Sequence, residues 1–141
     1  MIERQGRDAY RAWSRVTLRW ADNDAYGHVN NTVYYQWFDS CVNEWLVDAG
    51  LLDIATGDPI GLVVATGCDY FVPLSFPGEA DVGLAVQRLG TSSVTYRLGV
   101  FDADANAPAA QGRLTHVLVS RAERRPEPIP DRWRTALNSL T

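Results

Sequence analysis

The stretch between Arg19 and Tyr35 concentrates the residues best suited to chemistry. Asp22 and Asp24 supply carboxylates that can attack an electrophile or take a proton from water. His28 supplies an imidazole, and Asn30 and Asn31 supply amides. Tyr26 and Gly27 sit among them, and the segment runs straight into a helical pattern. A turn needs only two or three polar or turn-forming residues. Seven in one stretch mark a loop whose composition serves chemistry more than packing. A carboxylate on a loop at a helix start can face a carbonyl whose oxygen is held by free backbone N–H groups. The helix dipole favours developing negative charge at the same place. Asp is also a common turn former, and Asn30 and Asn31 are equally suited to capping the helix.

The flanking segments must position this loop. Trp13 to Trp20 reads as a strand, with β-branched and aromatic residues alternating with Arg15, Thr17 and Arg19. From Asn31 to Ala49 the period becomes helical. Val33, Trp37, Cys41 and Trp45 form one row, and Tyr34, Phe38, Val42 and Leu46 form the next. Two adjacent apolar rows predict a long, largely buried helix, with Asn30 or Asn31 as N-cap and Gly50 at the C-terminal stop. After a loop from Asp53 to Pro59, strand patterns run Gly61–Val72, Asp81–Leu89, Ser93–Phe101 and Ala109–Arg121. The turns between the last three are short enough to favour antiparallel hairpins. Pro126, Pro128 and Pro130 precede a short helix expected over Asp131 to Leu140. Strand, long helix, then four strands is an α+β order: a five-stranded antiparallel sheet against one helix. Such a sheet leaves edge strands, and pairing them with a second copy is one common solution.

Whole-chain properties narrow the classes. At 141 residues, with no repeat or linker, one domain over 1–141 is expected. A net charge of −4 argues against a nucleic-acid partner, since no broad basic face is available. Met1 to Arg7 lacks the apolar core of a signal peptide, and the longest apolar run, Ile60 to Ala65, is too short to span a bilayer. Cys41 and Cys68 have no metal-ligand spacing. A reduced, cytoplasmic setting without metal or cofactor is therefore expected.

The pattern Asp22-x-Asp24-x-x-Gly27-His28-Val29-Asn30-Asn31-x-x-Tyr34, followed by Phe38-Asp39 and Glu44, resembles the hotdog-fold thioesterases of the 4-hydroxybenzoyl-CoA thioesterase class. The resemblance continues through Asp69-Tyr70 with Pro73, Gly90-Thr91-Ser92-Ser93 and Pro130, and so covers nearly the whole chain. It implies a hotdog fold in which the sheet wraps one central helix. It also implies hydrolysis of an acyl-CoA to free acid and CoA-SH. The partners implied are the acyl-CoA substrate and further copies of the chain, as a homodimer or a dimer-of-dimers tetramer. Asp24 would be nucleophile or general base, the Asn31 N–H the oxyanion donor, and His28 a further catalytic candidate. Tyr26, Gly27, Asn30, Tyr34 and Ser93 are the candidate substrate contacts.

Alternatives remain open at this stage. A second hotdog class uses a helical Glu, which makes Glu44 a candidate, although the Arg often found two positions earlier in relatives is Val42 here. Arg88, Arg97, Arg113, Arg121, Arg124 and Arg125 are candidates for CoA phosphates. The Gly90–Ser93 turn lacks the basic residues that relatives place there, so an acyl-carrier-protein thioester is a second substrate class. Trp20, Trp37, Trp45, Tyr26 and Tyr35 read as core or subunit packing. A binding protein that senses acyl-CoA without hydrolysing it is the competing function. A hotdog dehydratase fits the Asp–His spacing less well.

Overall fold

A computed structural model of the protein describes residues 3–141. Its main elements are β1 (Ala12–Thr17), α1 (Asn31–Asp48), β2 (Ile60–Tyr70), β3 (Glu79–Leu89), β4 (Ser93–Asp102), β5 (Ala110–Val119) and α2 (Asp131–Asn138). The strands form one antiparallel sheet in the order β1-β3-β4-β5-β2. This is the expected α+β arrangement, a hotdog fold with α1 as the central helix and α2 as the short C-terminal one. Among the described residues, no helix is long and apolar enough to cross a membrane.

The two helical rows explain why α1 is central. Val33, Tyr34, Trp37, Phe38, Cys41, Val42 and Leu46 are all buried against the inward side chains of the sheet. Phe38 presses on Gly112 of β5, where any Cβ would collide with its ring. Only glycine admits so close an approach of helix to strand. β3 is buried on both faces, because a second layer covers the outer side of the sheet. There the Tyr10 ring lies over Gly83 and Gly99, which are paired across β3 and β4. Trp133 and Leu137 of α2 join the main core, and Val86 N–H donates to Leu140 O at 2.8 Å.

One expectation is corrected, and a second, core or subunit packing of the aromatic residues, is narrowed. The first strand ends at Thr17, and Trp20 belongs to a 3₁₀ turn over Trp20–Asp22. Arg19 N–H donates to Asp22 Oδ2 at 2.7 Å, and that bond curls the chain out of the sheet. Trp20 is therefore 79% exposed, meeting Phe76 edge to face, and is not core. Tyr26, at 87% exposure, is not core either, whereas Trp37 is buried and Trp45 packs on the core.

Candidate active site

The loop before α1 is held by polar contacts. Asp22 is 1% exposed and binds Arg19 through both carboxylate oxygens, while its own carbonyl accepts from Asn30 N–H at 2.8 Å. Asn23 pairs with Val29 in an isolated bridge, and Asp24 N–H donates to His28 O at 2.9 Å. Between those rungs the chain reverses through Gly27, whose φ of +81° is the left-handed region that favours glycine. The segment after β2 buttresses the loop from outside. Val29 N–H donates to Leu74 O, Ser75 Oγ donates to Gly27 O, and Phe76 N–H donates to Asn23 Oδ1.

This scaffold leaves two groups open. Asp24 Oδ1 accepts from Tyr26 N–H at 2.9 Å, which fixes the carboxylate, while Oδ2 has no donor among the described residues. At the helix start, Thr32 N–H donates to Asn30 Oδ1 and Val33 N–H to Asn30 O, but among the described residues the Asn31 amide meets no acceptor. Asp24 and Asn31 both border one cavity of about 450 Å³, a size typical of small-ligand sites. His28, Tyr26 and Tyr34 line the same cavity, and its far wall comes from Tyr70, Phe71, Val72 and Pro73 at the end of β2. Burial pushes the Tyr34 phenol up to about 12. Burial, with the neighbouring Cys68 thiol, raises that of Tyr70 as well. Both hydroxyls therefore keep their protons at neutral pH, and that of Tyr70 donates to Asn31 O at 3.2 Å. Among the described residues, no group of three or more His, Cys, Asp or Glu could hold a metal.

Asp24, His28, Asn31, Tyr26 and Tyr34, all named from the sequence, thus come together on one cavity. The other three candidates do not line it. Gly27 shapes the turn, and the Asn30 side chain caps the helix by accepting from Thr32 N–H and Thr32 Oγ1. Ser93 opens β4 opposite Val117, whereas Tyr70 aligns with Ala110 and Val100 at the other end of the sheet. At strand rise, Ser93 and Val100 are about 23 Å apart, so within one chain Ser93 lies away from Asp24. Glu44 is about 20 Å along the helix from Asn31 and accepts from Ser14 Oγ. It borders a larger groove of about 620 Å³ together with Asp39 and Asp48, where carboxylates cluster away from the helix start. Of the candidate arginines, Arg121 is occupied by the carbonyls of Asp53, Ile54 and Gly57. Tyr70 and Phe71 were not among the predicted site residues. The Asp69-Tyr70 and Pro73 positions noted in the motif were the signal that pointed there.

The chain matches the thioesterase-like superfamily over residues 18–137 and belongs to that family. Among solved structures, it is similar to the PA5185 protein of Pseudomonas aeruginosa, at 47% identity and a TM-score of 0.94, over 99% of this chain and 97% of that one. It is similar to the PA2801 protein of the same organism, described as a candidate thioesterase, at 30% identity and a TM-score of 0.81, over 91% and 98% of the two chains. A 1,4-dihydroxy-2-naphthoyl-CoA thioesterase from Synechocystis shares the fold at 23% identity and a TM-score of 0.80, over 91% and 96%. No curated protein matches the chain.

Proposed function

We propose that the protein hydrolyses an acyl-CoA thioester, in the manner of the 4-hydroxybenzoyl-CoA thioesterase class. One observation carries this reading: Asp24, with a carboxylate oxygen that has no donor, and Asn31, with a helix-start amide that has no acceptor among the described residues, line the same cavity. The substrate carbonyl oxygen sits at the Asn31 N–H, where charge developing on oxygen is stabilised by the amide and the helix dipole. Asp24 then takes a proton from water as the water oxygen bonds to the carbonyl carbon. In the nucleophilic variant Asp24 Oδ2 bonds to that carbon itself, and water opens the resulting anhydride. In either case the C–S bond breaks, its electron pair leaves on sulfur, and the proton released by water passes to that thiolate, giving CoA-SH and free acid with Asp24 again a carboxylate. A thiolate is weakly basic, so one carboxylate plus polarisation suffices. His28 and Tyr26 contact the acyl group.

The same reading makes the site shared between two copies. β2 is an edge strand, and Leu62, Val63 and Val64 on it are 37%, 48% and 59% exposed. An unpaired edge of this kind is suited to pairing with its counterpart in a second chain. Incubation with a panel of acyl-CoA and acyl-carrier-protein thioesters, with detection of free thiol, tests the reaction. Acyl-CoA turnover is expected. Tight binding without thiol release identifies a sensor instead, and turnover of carrier-protein thioesters alone changes the substrate class. Sedimentation is expected to give a dimer or tetramer with an interface above roughly 1,200 Å². A stable, fully active monomer excludes the shared site.

A further inference from the structure

The face of the sheet turned away from α1 carries a second polar pocket, of about 320 Å³. The strand register aligns Ala85, Arg97, Arg113 and Gly67 in one row across β3, β4, β5 and β2. Cross-strand partners share a face, so Arg97 and Arg113 are direct neighbours. Their direction is outward, because Tyr96, Leu98 and Leu114 beside them are buried in the main core. Like charges placed directly opposite each other destabilise a sheet. Elsewhere on this face the chain neutralises such charge: Arg7 and Arg15 both close on Asp81, at 3.0 and 2.8 Å. Arg97 and Arg113 have no such partner. Among the described residues, no carboxylate comes within 4.0 Å of either guanidinium group.

The surroundings shape the pair into a concave site. Gly67 has no side chain, and the Arg113 guanidinium lies directly over it. A Cβ at that position would stand 2.7 Å from Arg113 Nη1. Gln87 and Gln111 border the pocket. Gln111 is fixed by the N-terminal segment, since Gln5 N–H donates to its Oε1 at 2.8 Å and its Nε2 donates to Glu3 O at 3.0 Å. Asp69 supplies the one carboxylate on the rim.

We propose that Arg97 and Arg113 form a second binding site, separate from the Asp24 cavity, for a phosphate-class oxyanion. Two arginines bordering one pocket present planar sets of donors that match such an anion, and its charge offsets theirs. The anion is inorganic phosphate or the phosphoryl end of a nucleotide-bearing molecule, and the two sources are separable by experiment. Arginine Nε–H resonances are followed by NMR while sodium phosphate replaces sodium chloride at constant ionic strength. Saturable shifts are expected at Arg97 and Arg113 and not at Arg125, with a rise in Tm that follows the same saturation curve. R97Q and R113Q are each expected to weaken phosphate binding at least tenfold, while R125Q, which removes the same charge elsewhere, stays within twofold. A parallel titration with coenzyme A assigns the source: competition with phosphate at these two resonances points to the nucleotide end, and its absence points to the free ion. If neither probe shifts Arg97 and Arg113 saturably, or if R125Q weakens binding as much as the other two, the proposal is overturned. The result is independent of whether the Asp24 cavity hydrolyses thioesters.

Discussion

At its N-terminal end α1 meets a cavity with the Asn31 amide unclaimed and the Asp24 Oδ2 open beside it. At its C-terminal end the backbone is closed: Ala49 N–H donates to Trp45 O, Gly50 N–H to Val47 O, and both Leu51 and Leu52 N–H to Leu46 O. Gly50, with a φ of +73°, ends the helix, and nearby Glu44 is engaged with Ser14. Both ends carry carboxylates, so acidity does not distinguish them. What differs is whether polar groups are left without partners where a ligand can reach them. A positive dipole end and open donors suit a developing oxyanion, and the other end of the same helix has neither.

The largest effect that would break this contrast is at Asp24. D24N keeps the size and the acceptor that fixes the turn, but removes the base and nucleophile. Turnover is expected to fall by about 10²–10⁴-fold while fold and acyl-CoA binding persist. D22N, two residues away, is expected to do far less to turnover, since Asp22 is buried on Arg19 and faces no cavity. Thiol-release kinetics on both variants, with circular dichroism as a folding control, decide the matter. Near-normal hydrolysis by D24N removes Asp24 from the chemistry.

Next in size is the Asn31 amide. N31S keeps the N–H and is expected to retain most activity. N31P deletes the donor at a first-turn position that tolerates proline, and a loss of about 10²–10³-fold in rate is expected. The proline also constrains Asn30, so the variant is first shown to fold and to keep its oligomeric state. A folded N31P with unchanged turnover means that the open amide is incidental.

His116 sharpens the comparison from the buried side. It is 2% exposed, its Nδ1 has no partner among the described residues, and Tyr96, also buried, meets it edge to face. It too is unsatisfied, yet it lines none of the cavities described above, so a lone polar atom does not by itself make a site. Burial lowers its pKa below the ordinary 6.5, and the Asp39 carboxylate only partly offsets this. The unfolded chain therefore takes up the proton first. The stability is present above about pH 6.5 and is lost as pH falls below it, by at most about 1.4 kcal/mol per pH unit. Asp81, held below the usual carboxylate range by Arg15 and Arg7, acts only at more acidic pH. Denaturant midpoints between pH 8 and pH 5 are expected to fall for wild type and to flatten for H116L. Equal slopes for the two proteins would show that His116 is not held neutral.

Local pattern made much of this molecule legible. The two apolar rows of α1, the short hairpin turns and the polar loop from Asp22 to Asn31 are all properties of neighbouring residues. What was not legible depends on chain returning from a distance. The end of β2 lines the cavity because Leu74 O accepts Val29 N–H, a contact that no periodicity announces. Trp20 reads as strand because its alternation is right, but the Arg19–Asp22 pairing overrides it. Ser93 looked close to the site as part of a motif, and the hairpin geometry carries it to the opposite end of β4. The adjacency of Arg97 and Arg113 rests on the register of β4 against β5, which runs unbroken from Ser93 opposite Val117 to Val100 opposite Ala110.

The smallest expected effect lies at Glu44, and it is the cleanest check on the two helix ends. Glu44 is exposed, and its contact with Ser14 Oγ is a surface hydrogen bond at 3.0 Å. E44Q keeps the acceptor for that hydroxyl while removing the charge, so stability is expected to move by less than about 0.5 kcal/mol. Turnover should stay close to wild type, because Glu44 is about 20 Å along the helix from the open Asn31 amide. The measurement is a direct comparison of kcat and KM for E44Q and wild type on the best thioester of the panel. A collapse of kcat in E44Q, with Tm unchanged, would move the reactive carboxylate to the closed half of α1. The groove lined by Asp39, Glu44 and Asp48 would then be the place to look for the acyl group.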